Sequence, residues 1–139
     1  MSASNFPPTI TDSAHALKQA AVVSLSARGL TIREAKGRNG TEHDTTPHAT
    51  LDLREECGCG LSNNHHEFIL SIHVRGFDFK PREVMRWTDE AERAALTVGT
   101  HLGDWQILQI SAERTRILRQ ADGDWAGCLS VRALLSPKD

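Results

Sequence analysis

Little net charge, no long apolar run and an odd number of cysteines set the first limits on this chain. Its 16 Lys and Arg nearly balance its 18 Asp and Glu, for a formal charge of −2. That excludes the strong basic excess of a dedicated nucleic-acid binder and the acidic surplus of a solvating, disordered tail. The longest wholly apolar runs, such as 20–23 and 94–96, fall far short of the ~20 residues that a membrane-spanning helix needs. Basic residues are missing before Lys18, and Ser and Pro dominate that opening, so no secretory signal is expected. Three Cys cannot all pair within one chain, and reduced thiols in a cytosolic setting are expected. Internal repeats and low-complexity tracts are also lacking. A chain of 139 residues then reads as one domain over 1–139, with a modest core that buries roughly two-thirds of the unfolded surface.

What is present reads as alternating elements. Residues 1–10, with Pro7 and Pro8, form an extended arm. Thr11, Asp12 and Ser13 offer caps for a helix that runs to about Arg28 and stops at Gly29, its stripe built from Ala14, Leu17, Ala21 and Leu25. Leu30 to Ala35 is an expected strand, residues 36–48 a long polar loop, and Ala49 to Leu53 a short alternating strand. Residues 54–66 form a second long loop. Glu67 to Gly76 alternates most clearly, with Phe68, Leu70, Ile72 and Val74 on one face and Ser71, His73 and Arg75 on the other. Pro81 opens a second helix to about Val98, with Val84, Trp87, Ala91 and Ala94 or Ala95 inward and Asp89 placed to pair with Arg93. Trp105 to Leu118 and Trp125 to Leu135 flank an Asp-Gly turn at Asp122 and Gly123 and form a long hairpin, expected to project beyond the sheet. The order predicts an α+β fold, an antiparallel β-sheet with two helices packed on it and a long C-terminal β-hairpin.

Few of the reactive side chains sit in an arrangement that chemistry needs. Cys57, Cys59, His65 and His66 supply the ligand types of a zinc site. Their spacing is poor, because one residue separates the Cys and the His are adjacent. Cys128 needs a basic partner, and His73 or His101 serves only if the fold brings one close. The acidic pairs Glu55–Glu56 and Asp122–Asp124 lack an apolar setting that would raise a pKa. Gly37 to Gly40 is not followed by the Lys and helix of a phosphate-binding loop. Arg114, Arg116 and Arg119 crowd one arm of the hairpin and Arg132 lies on the other, a basic patch suited to carboxylates of a second subunit more than to DNA. Phe77 and Phe79 flank Asp78 before the second helix, as core or, if exposed, as interface anchors.

Three stretches carry a resemblance to a known family: the alanine-rich AHALKQAAVVSLSARG, the strand LSIHV leading into the helix VMRWTDEAERAAL, and the hairpin ERTRILRQADGDWAGCLSVRALL. In these and in the order of its elements the sequence resembles the tail terminator, or tail-completion, proteins of long-tailed bacteriophages, especially the version found in phage-like gene transfer agents. The stretches span 14–29, 67–98 and 105–135. Loop 54–66, with its Cys and His, departs from the shorter polar loop of the family.

The resemblance implies a structural virion component without enzymatic activity or cofactor. Such proteins form a homohexameric ring on the head-proximal end of the tail tube, stop tube polymerisation and join the tube to the head connector. DNA passes through the channel. Six copies at −2 each carry about −12, which disfavours a tight grip on DNA. The location implied is the tail of a virion or virus-like particle assembled in the bacterial cytoplasm, with no membrane partner. The residues themselves leave two alternatives open: a small zinc-binding protein using Cys57, Cys59, His65 and His66, and a small ligand-binding α+β domain.

Overall fold

The computed structural model describes residues 10–33, 46–56, 65–76 and 78–138. Helix α1 (Ile10–Ala27) leads into the short strand β1 (Thr31–Ile32), then β2 (His48–Glu56) and β3 (His66–Arg75). Helix α2 (Pro81–Leu96) and a 3-10 turn (Val98–His101) precede the hairpin of β4 (Trp105–Arg119) and β5 (Trp125–Pro137). The fold is α+β, as the sequence predicts, with a five-stranded mixed sheet in the order β1-β2-β3-β5-β4. β1 runs parallel to β2, and the remaining neighbours are antiparallel.

Local chemistry fixes the helix ends. Gly29 sits at φ +95°, where a side chain is strained. There the Leu30 amide donates to the Leu25 carbonyl (3.2 Å) and the Gly29 amide to that of Ser26 (3.1 Å). This is the Schellman pattern, closed by the buried side chains of Leu25 and Leu30. At the start of α2, Pro81 needs no hydrogen-bond acceptor, and the Lys80 amide donates to Glu83 Oε1 (2.9 Å).

Both helices cover the same face of the sheet. Phe68, Leu70, Ile72 and Val74 of β3 meet Leu129, Val131 and Leu135 of β5 there, beneath Leu17, Leu25, Val84 and Ala91 of the helices, all buried. Two polar features lock this layer. Ser24 Oγ on α1 donates to the Ala94 carbonyl on α2 (2.8 Å). Thr88, fully buried on α2, donates to the Val84 carbonyl (2.7 Å) and sits on Gly127 of β5. A Cβ at Gly127 would lie 1.8 Å from Thr88 Oγ1, so only glycine admits the helix at this distance.

Several expected boundaries move. α1 starts at Ile10, so the expected arm 1–10 loses its last residue, and residues 1–9 lie outside the described ones. Arg54–Glu56 belong to β2 and His66 to β3, which shortens loop 54–66 at both ends. Their alternation continues the ladder, since Arg54 pairs with Ile69 and Glu56 with Glu67. His48 likewise belongs to β2 and not to loop 36–48. In α2, Thr88 takes the buried place expected of Trp87, which is half-buried with Arg86 over its ring at 5.2 Å. Arg93 pairs with Glu90 (3.7 Å) instead of Asp89, sharing a carboxylate that Arg28, just past the end of α1, also holds at 2.9 Å.

The largest difference concerns the hairpin. β5 is not a free arm but an inner strand, paired with β3 from Ala126 to Leu135 and with β4 along its length. The hairpin is therefore part of the sheet, and only its tip passes the end of β3. β4 becomes a 15-residue edge strand, and its register shifts beside Leu108 and Glu113.

Candidate interaction surface

Side chains alternate across the strands, so every second residue faces away from the helices. The strand registers arrange this face, bare of any described helix, in rows. One row is Thr50, His73, Cys128 and Arg116, and the next is Asp52, Ser71, Ser130 and Arg114. Then come Arg54, Ile69, Arg132 and Ser111, followed by Glu56, Glu67, Leu134 and Gln109.

The four arginines of the expected basic patch do not stay together. Arg114 and Arg116 share the bare face, both exposed, with no ion pair among the described residues. Arg119 pairs in register with Trp125, on the helix-covered side. It donates to the Gly123 carbonyl (3.2 Å) and lies 5.8 Å over the Trp125 ring. Arg132 is occupied within its own chain. Its Nε and a terminal nitrogen donate to the two Glu113 oxygens (2.9 and 3.3 Å), Glu67 lies at 3.1 Å and Glu56 at 3.8 Å. The bidentate bond to Glu113, with Glu67 beside it, raises the Arg132 pKa further above its ordinary value. The same hydrogen bond from Arg132 lowers the pKa of Glu113. The register shift beside Glu113 turns its carboxylate toward Arg132. Glu56 and Glu67 stand directly opposite each other, and Arg132 offsets a like-charge pair that would otherwise repel.

Glu55 and Glu56 point to opposite faces of β2. Asp122 accepts from the Asp124 amide (3.0 Å) and from Arg75 (2.6 Å), which closes the hairpin tip onto the end of β3. That backbone bond first, and then Arg75, hold its carboxyl below the usual aspartate pKa.

The fold does bring His73 opposite Cys128, with Arg116 on the other side. Burial pushes the Cys128 thiol up, against a smaller opposing pull from Arg116. Partial burial among its sheet neighbours, and then Arg75, push the His73 pKa down. At neutral pH the two are a thiol and a neutral imidazole, the reverse of a thiolate–imidazolium nucleophile. His101 lies in the turn that packs on α1, on the other side of the sheet.

For the zinc alternative, Cys57 and Cys59 lie outside the described residues. His66 packs its ring edge-on against Trp105 at 5.5 Å. Among the described residues no group of three or more His, Cys, Asp or Glu is placed to hold a metal ion. Phe77 also lies outside them. Phe79 is half-buried, and its ring fills the space where a side chain on Gly76 would stand. No described helix is long and apolar enough to cross a membrane.

The sequence reading missed Glu67 and Glu113 as partners of Arg132. Counting back from the Asp-Gly turn sets Ala112 opposite Arg132, and only the register shift beside Glu113, which no local signal announces, brings Ser111 there with Glu113 two residues on.

Neither a protein-family model nor a curated protein matches the chain. Among solved structures, it is similar to a chain from the virion of a native gene transfer agent particle. The identity is 15%, the coverage 92% of this chain and 95% of that one, and the TM-score 0.42. A crystal structure from Akkermansia muciniphila is similar at 11% identity over 97% of this chain and 83% of that one, with a TM-score of 0.37.

Proposed function

We propose that the chain is a non-enzymatic subunit of a tail-completion ring, a single domain of a bacteriophage or gene transfer agent particle. One observation carries this reading. Among the described residues the helices cover a single face of the sheet, and nothing described covers the other face or the outer side of the 15-residue edge strand β4, where charge is ordered. Such a subunit offers several distinct surfaces to other proteins, and a closed ring requires at least two that differ. The three sequence stretches of the family resemblance fall on α1, on β3 with α2, and on β4 with β5, the elements that build this arrangement.

In this reading six copies cap the head-proximal end of the tail tube. One side of the ring meets the last ring of tube protein and the other meets the head connector, with DNA passing between. The surface residues proposed for contact are Arg114 and Arg116 on the bare face, Phe79 and Arg119 nearer the connections, and Phe77, which lies outside the described residues. Arg132 acts indirectly, by holding Glu113, Glu67 and Glu56 in place. The test is tube assembly in vitro. Added protein is expected to bind tube ends and halt growth, giving tubes that no longer lengthen with time. Tubes that grow unchanged in its presence rule the reading out.

A further inference from the structure

The sheet ends in two unlike edges. Among the described residues no strand lies on the outer side of the 15-residue β4. β2 is covered on its outer side by β1, which pairs only with His48 and Ala49. Among the described residues no strand lies against Leu51–Glu56 on that side.

The two edges carry opposite charge in matching rows. Asp52 on β2 and Arg114 on β4 end the same row, through Ser71 and Ser130, and both project from the bare face. Both are exposed, and neither makes an ion pair among the described residues. Arg116 stands at the next same-face position along β4 and is equally exposed. The flanking rows set neutral side chains against charge, with Ser111 level with Arg54 and Gln109 level with Glu56. A second copy laid edge to edge at this level therefore meets attraction at Asp52 and no like-charge pair in those rows.

We infer that β4 of one copy lies along Leu51–Glu56 of β2 of a second copy of this chain, the stretch that no described strand covers, with Arg114 and Arg116 against Asp52 of that copy. Three antiparallel steps separate β2 from β4, so the two edges run in opposite directions and the contact is antiparallel. The register shifts beside Leu108 and Glu113 interrupt a long backbone ladder, which leaves charge to set the register. The contact is heterologous, one surface against a different one, and it rests on the ring reading only for its closure into a ring.

The experiment is sedimentation velocity over a concentration series, with circular dichroism confirming the fold of each variant. Wild-type protein is expected to self-associate, less so as salt rises. Arg114→Asp and Asp52→Arg are each expected to weaken association by about tenfold or more. Mixing the two variants restores it, because every junction in an alternating array is again complementary. Single variants that associate as wild type does, or a mixture no stronger than its components, overturn the edge contact. So does wild type that stays monomeric up to roughly millimolar concentration, the ~4 kcal/mol end of the affinity scale. Failure here with retained binding to tube ends leaves the ring reading standing; loss of tube-end binding in wild type sinks that reading instead.

Discussion

The two faces of the sheet are built from alternate residues of the same strands, yet they solve different problems. The covered face is apolar, and its fit is set by atoms. Gly127 admits Thr88, and Ser24 ties α1 to α2. The bare face is mostly polar, Ile69 and Leu134 apart, and its order comes from charge, with Arg132 gathering Glu113, Glu67 and Glu56 while Arg114 and Arg116 stay unpaired among the described residues. Stability resides on the first face. The second holds its groups in place by charge.

Neighbours in β5 give the sharpest contrast. Leu129 is buried under the helices, whereas Ser130 is on the bare face. Leu129→Ala is expected to cost about 4 kcal/mol in urea unfolding. Ser130→Ala is expected to change stability by less than ~0.5 kcal/mol. A comparable loss at both positions breaks the contrast. Gly127→Ala comes next, at about 3 kcal/mol, because the new methyl meets Thr88 Oγ1. In a Thr88→Ala background the same change is expected to cost less than half as much, a coupling that a double-mutant cycle reads directly. Ser24→Ala removes the α1–α2 hydrogen bond and is expected to cost about 1 kcal/mol.

The smallest effect expected lies on the bare face and depends on pH. The pKa of His73 is lowered below 6.5 in the folded chain, so the unfolded chain takes up its proton first as pH falls. The contribution of His73 to stability is level above pH 6.5 and declines as pH falls from there through the folded value. Denaturation midpoints of wild type and His73→Gln across pH 5 to 8 are expected to differ in slope only on the acid side of about 6.5. Parallel profiles would contradict it.

Much of the fold was legible because its signals are local. Gly29 after an amphipathic run, the alternation of Phe68 to Val74 and the Asp-Gly turn each name their element without reference to the rest of the chain. The place of the hairpin was not local, and it was misread as projecting. The difference between its arms held the answer. β5 carries a single charged residue, Arg132, as suits an inner strand, while β4 carries Glu113, Arg114, Arg116 and Arg119, which suits an edge. The bare face was legible only as residue types. That Arg132 is neutralised within its own chain, and that Arg119 points away from Arg114, depends on registers that no short stretch of sequence reveals.

Hydrogen exchange during assembly on tube ends tests most directly whether the bare side of the subunit is its contact side. The free protein is expected to exchange quickly at the outward amides of β4 and of Leu51–Glu56. On assembly these are expected to gain protection, while the outer turns of α1 and α2 stay unchanged. Protection that builds on the helices and leaves β4 as fast as before would contradict the account.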